Sequence, residues 1–190
     1  MKVKAGEYAW KPTIVWQALC ETQGPVCWMD AGNVLSDDLS RLRDSLSQNG
    51  FYSPHSPGTV PDWTHPKMLE FFGLDGRWGE GRANLNGACV VFDPRFERAR
   101  GLARKWYEGA LIKGCIAPEG SDRSNHRQDQ ALLSVLAHLE GLADIGDHAY
   151  IGFSIQQDLP PSLRRRAMSA IRRRLARMTM ALRSRRRFRI

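Results

Sequence analysis

The sequence predicts an α/β domain, a mixed sheet flanked by helices, followed by a basic amphipathic helix at the C-terminus. Three observations lead there. Short apolar runs of strand length alternate with longer segments of helical period up to Pro160-Pro161, the pattern of layered α/β architectures. The helical segments are apolar on one face only: Leu39, Leu42 and Leu46 in one, and Ala99, Leu102, Ala103, Trp106 and Ala110 in another. Charge divides at the proline pair. Residues 161–190 contain twelve Arg and no Asp or Glu, while residues 1–160 hold 16 Lys and Arg against 20 Asp and Glu, a net of −4. The expected domains are therefore 1–160 and 161–190.

In chain order, residues 12–20 read as a short helix with Pro12 in its first turn. Pro25 to Asp30 is a short apolar strand, and Asp37 to Gln48 a helix stopped by Asn49-Gly50. Residues 51–66 carry four prolines and read as a loop. Residues 66–72 suit another short helix, and Asn84 to Phe92 a strand with Ala88-Cys89-Val90-Val91-Phe92 as its apolar core. Glu97 to Ile112 is a helix, Pro118 to Asn125 a polar loop, Gln128 to Leu139 a helix and Ala149 to Ser154 a last strand.

Composition excludes some classes. The 190 residues contain no apolar run of about 18, so no spanning helix is expected. Met1 to Glu7 lacks the apolar segment of a secretory signal. The four cysteines, Cys20, Cys27, Cys89 and Cys115, have neither CxxC nor zinc-finger spacing. Cys27 and Cys89 lie in apolar runs and are expected to be buried, reduced thiols of a cytoplasmic protein, with a disulfide between two of the four left open. The net charge of +8 belongs to the tail, so the body offers no basic face of its own for nucleic acid.

Four segments carry candidate chemistry. Asp30 ends an apolar strand and is followed by Ala31-Gly32-Asn33. It either caps the turn or serves a ligand at the carboxyl end of the strand, where a carboxylate suits a hard divalent cation. Asn125 to Gln130 places six hydrogen-bonding side chains at a helix start. Asp129 there is a candidate general base and His126 an acid/base group or ligand, against the alternative of simple helix capping. Asn84-Leu85-Asn86-Gly87-Ala88 opens a strand as a bulge, a turn or a close-approach site. Trp10-Lys11-Pro12 puts an aromatic ring and a cation at a helix start.

Taken in this order, Trp10-Lys11-Pro12, Asp30-Ala31-Gly32, Asn86-Gly87-Ala88 and His126-Arg127-Gln128-Asp129-Gln130 with Leu133-Ser134 resemble the motifs of the GT-A-fold nucleotide-sugar glycosyltransferases. The similarity spans roughly residues 8–140. The resemblance implies a partial GT-A-like fold, a nucleotide-diphosphate sugar donor and a Mn²⁺ or Mg²⁺ ion. By it, Asp30 would hold the metal and diphosphate, with Asn33 able to lend an oxygen. Asn86 and Gly87 would line the sugar pocket, with Trp10 and Lys11 beside it. Asp129 and Gln130, with Arg127 and His126 ahead of them, would meet the transferred sugar or the acceptor. Only 29 residues precede Asp30, room for one helix and one strand. Most of the nucleotide-binding half of such a domain is therefore expected to be missing, whether by truncation, a late start or loss. His138 and His148 do not match the family's metal-ligating histidine and are expected to be surface or satisfied core residues.

In the tail, Leu163, Ala167, Ile171, Leu175, Met178 and Leu182 form one helical stripe with arginines around it. Such a helix suits an anionic membrane surface on the cytoplasmic side. Nucleic-acid phosphates, the acidic body of the same chain and plain solvent are the alternatives. A second class of function is thus a non-catalytic membrane-surface or nucleic-acid-binding protein acting through the tail.

Overall fold

A computed structural model describes residues 6–146 and 148–155. The expected tail helix, with the rest of 156–190, lies outside the described residues. The described part is mixed α/β. Helix α1 (Trp10–Glu21) leads into strand β1 (Val26–Met29), a turn and β2 (Asn33–Leu35). Helix α2 (Ser40–Ser45) precedes β3 (Phe51–Tyr52) and β4 (His55–Thr59), followed by the short helices α3 (Val60–Trp63) and α4 (Pro66–Phe71). Then come β5 (Ala83–Leu85), β6 (Cys89–Phe92), α5 (Glu97–Ala110), α6 (Lys113–Ile116), α7 (Gln128–Leu139) and β7 (Phe153–Ile155).

The strands form three small sheets, ordered β1-β6-β3, β2-β7 and β4-β5, and every pairing is antiparallel. β6 is the hub, with Val26 opposite Phe92 on one side and Phe51 opposite Phe92 on the other. All four of its residues are buried. Alternation explains this: Val90 and Phe92 enter the main core, while Cys89 and Val91 enter a second cluster with Leu42, Leu46, Tyr52, Ile151 and Phe153. A strand covered on both faces reads as a continuous apolar run. The main core lies between this sheet and α1, α5 and α7. Helix α5 contributes Ala99, Leu102, Ala103, Trp106 and Ala110, the face its periodicity marks out. Helix α7 is buried almost all round from Ala131 to His138.

Several expectations are corrected. The segment 84–92 is not one strand. Asn86 folds back on itself, its Oδ1 accepting the Ala88 N–H at 3.0 Å, and this turn separates β5 from β6, which join different sheets. The proline-rich stretch 51–66 is not a loop: it contains β3, β4 and α3. Pro57 is tolerated because β4 is a lone edge partner of β5 with a register shift between Ser56 and Thr59. α2 is shorter than its apolar spacing suggests, and α1 starts at Trp10, which brings Lys11 onto the helix. Cys27 is exposed whereas Cys89 is buried, and all four thiols are free. His138 and His148 are core residues, each bonded to a backbone carbonyl (Ala83 and Ser53) at 2.8 and 2.7 Å.

Candidate functional site

The four motif segments, separated by up to about 120 residues, meet at the N-terminal end of α1. Lys11 is 5% exposed, and its Nζ lies 3.1 Å from Asp30 Oδ1, 3.2 Å from Asp129 Oδ2 and 3.0 Å from the Gly87 carbonyl, to which it donates. Each element brings its residue for a local reason. β1 is held by β6, and after Met29 the Asp30 N–H donates to Ala88 O at 2.8 Å, which fixes the carboxylate beside the Asn86–Ala88 turn. Asp129 sits in the first turn of α7, where the Trp106 indole donates to its carbonyl at 2.8 Å from inside the core. Gln128, just before it, has φ 33°, a left-handed conformation unusual for a residue with a side chain. Gly87 allows close approach: a Cβ there would lie 3.3 Å from both Asp129 Oδ2 and Gln130 Cβ, tighter than an ordinary contact.

The electrostatics follow from burial. Burial by itself would lower the Lys11 ammonium, but the charges of Asp129 and Asp30 outweigh it and hold the pKa above its ordinary value. Asp129 is pushed up to about 6, first by burial and also by the neighbouring Asp30 charge, against the pull of Lys11. Its Oδ2 faces Lys11 off the angle of a hydrogen bond and keeps an acceptor position unused among the described residues. Buried charge of this kind is a poor stabiliser, since desolvation consumes most of the attraction. Ionisable groups shifted toward neutral pH are instead a mark of functional sites.

Asp30 opens the cluster to solvent, its side chain 42% exposed. It does not cap the turn with its carboxylate. Oδ1 takes the Trp28 indole N–H at 2.8 Å and the Lys11 ammonium, which leaves Oδ2 without a partner among the described residues. Aromatic rings flank it. Trp10, 41% exposed, lies 5.6 Å from Trp28 edge-to-face and 6.2 Å from Tyr8. The Lys11 ammonium lies 5.7 Å from the centre of the Trp28 ring.

Of the residues expected from sequence, Lys11, Asp30, Gly87 and Asp129 are in mutual contact, with Trp10 and Gln130 at their edge. Asn86 is bound into the turn, and its Nδ2 donates to the Tyr150 hydroxyl at 2.8 Å. Arg127 precedes α7 with its guanidinium 4.2 Å over the Trp63 ring. His126 is used elsewhere. It is fully buried, its Nδ1 accepts the His65 N–H at 3.2 Å, and its Nε2 therefore donates to Ile116 O at 2.8 Å. Burial first, and the nearby His65 second, lower it to about 4, so it is neutral and holds the loop ahead of α7. Trp28, Tyr8 and Tyr150 escaped the sequence reading. Trp28 alone left a trace there, as the indole two residues before the carboxylate.

The group does not fit the divalent ion that the resemblance implies. Mn²⁺ or Mg²⁺ needs several oxygens at close to 2 Å. Here the space between the two carboxylates is filled by the Lys11 ammonium. Asn33 is fixed by donating its Nδ2 to Ala88 O; its Oδ1 has no partner among the described residues but brings no charge to hold an ion. Among the described residues no group of three or more His, Cys, Asp or Glu is placed to hold a metal. A separate cleft of about 890 Å³, lined by Cys27, Leu39, Leu42, Leu46, Val91 and Phe96 among others, shares no residue with this cluster. Neither known protein families, nor curated proteins, nor solved structures give a match to this chain.

Proposed function

We propose that the chain is a glycosyltransferase-like domain that binds a nucleotide-diphosphate sugar and transfers the sugar to an acceptor hydroxyl. The observation that carries the reading is convergence: segments 10–11, 28–30, 86–87 and 129–130 build one cluster of buried charge that reaches solvent at Asp30 beside an aromatic wall. The two kinds of surface suit a sugar. Ring faces of Trp10 and Trp28 pack against pyranose C–H groups, and a carboxylate with an unused oxygen accepts a sugar hydroxyl.

In the proposed reaction the acceptor oxygen bonds to the anomeric carbon while the bond from that carbon to the diphosphate oxygen breaks. The electron pair leaves with the nucleotide, and the acceptor proton passes to a carboxylate. Asp129, with its pKa near 6, is suited to hold that proton close to neutral pH. Positioning of donor and acceptor supplies the greater part of the rate.

A thermal-shift screen of nucleotide sugars on the wild type and on Asp30→Asn tests this. A true donor near a hundredfold excess over its Kd adds roughly 2.7 kcal/mol. That raises Tm by about 5 °C or more in a domain of this size, and the variant loses most of the shift. Stabilisation by no donor, or equal stabilisation of both proteins, contradicts the proposal.

The twelve arginines of 161–190 favour a second statement, about location. We assign that segment to the anionic inner face of a membrane, where it would bring the domain to membrane-linked acceptors. No helix among the described residues is long and apolar enough to cross a membrane.

A further inference from the structure

The cation of this site is built into the chain. We propose that the Lys11 ammonium takes the place of the divalent ion, and that the space between Asp30 and Asp129 accepts a metal only when Lys11 is removed. The inference does not depend on which ligand the site binds.

Three features of the geometry carry it. Nζ has three protons, and three oxygens surround it at 3.0–3.2 Å, from Gly87, Asp30 and Asp129. An ammonium so placed fills the space between the carboxylates, and a metal could not bridge Asp30 Oδ1 and Asp129 Oδ2 without expelling it. Second, the side chain is 5% exposed and sits on α1, whose Val15 and Leu19 are anchored in the main core. The helix from which the ammonium projects is therefore held in place by the core. Third, the pocket is built around a cation. Asp129 is 6% exposed with an unused acceptor position on Oδ2, and Gly87 has no side chain to fill the gap beside it. Two converging carboxylates, one of them buried, cannot both stay ionised without a positive charge between them. A covalently attached one supplies it at fixed stoichiometry and independently of metal supply. Lys11 is thus a positioning residue: it sets the separation and orientation of Asp30 and Asp129.

The test is a Mn²⁺ titration followed by the EPR signal of free Mn²⁺, with no nucleotide sugar present. Wild type is expected to take up no ion that depends on Asp30. Lys11→Ser vacates the space and is expected to bind one Mn²⁺ at least about tenfold more tightly than wild type, through the two freed carboxylates. The gain disappears in Lys11→Ser/Asp30→Asn. If Lys11→Ser does not fold without metal, recovery of its circular dichroism on adding Mn²⁺ gives the same answer. Lys11→Ala serves as the second variant. An Asp30-dependent Mn²⁺ site in wild type overturns the inference, and so does failure of both variants to gain one. Because no donor enters the titration, its outcome is separate from that of the nucleotide-sugar screen.

Discussion

At the scale of single residues, the chemistry of the site is the chemistry of one buried carboxylate. Asp129 has a folded-state pKa of about 6 against an ordinary 3.8. Its protonated form is therefore the one the fold prefers. The stability this provides is complete below pH 3.8 and is lost as pH rises through 6. Two pKa units correspond to about 3 kcal/mol. We therefore expect the stability of Asp129→Asn relative to wild type to rise by up to about 3 kcal/mol between pH 4 and 6 and to level off above. Urea denaturation of both proteins across this range checks it, and a flat difference contradicts the assignment. The residue types at the site were legible in sequence: Lys11, Asp30, Gly87 and Asp129 were all candidates on their own segments. What no local pattern carries is that Lys11 would lie between the two carboxylates, a contact across 118 residues of chain. For the same reason His126 reads like a catalytic group in a polar cluster, although its ring is spent on two backbone atoms.

At the scale of elements, legibility follows the number of side chains that vote. α5 has fourteen residues, and its inner face is read correctly from period alone. β3 has two residues and β4 contains Pro57 and Gly58, so neither is visible against the turn chemistry around them. Their existence depends on partners: β3 on the central β6, and β4 on β5. The turn into β3 gives a sharp prediction. Gly50 has φ +73°, and an added Cβ would lie 2.6 Å from the Phe96 ring. Gly50→Ala therefore combines left-handed backbone strain with overpacking, and we expect a loss of about 2–4 kcal/mol. A chemical denaturation midpoint unchanged from wild type would show that this turn does not fix the sheet against the start of α5.

At the scale of the whole molecule, charge is the organising feature. A body of net −4 is followed by thirty residues with twelve arginines. Association through that segment is expected to be electrostatic. The full chain should cosediment with anionic lipid vesicles at low salt, leave them as ionic strength approaches about 0.5 M, and lose the association when 161–190 is deleted. Retention by neutral vesicles at high salt would assign the attachment elsewhere. The α/β class itself was legible from the alternation of runs. Its division into three antiparallel sheets was not, because pairing is decided by which strands share a face of β6 and by the single turn at Asn86.

The proposed function requires a sugar-bearing ligand to engage Asp30 against the aromatic wall. The Trp28 indole reports on it directly, since its N–H is bonded to Asp30 Oδ1. The chain has six tryptophans, so the indole N–H resonances can be followed one by one in an ¹H–¹⁵N NMR titration with nucleotide sugars. Saturable shifts of Trp28 and Trp10 are expected, while Trp16, stacked on Tyr107, stays fixed. A donor that binds and moves Trp16 but leaves Trp28 unshifted would contradict the proposed function.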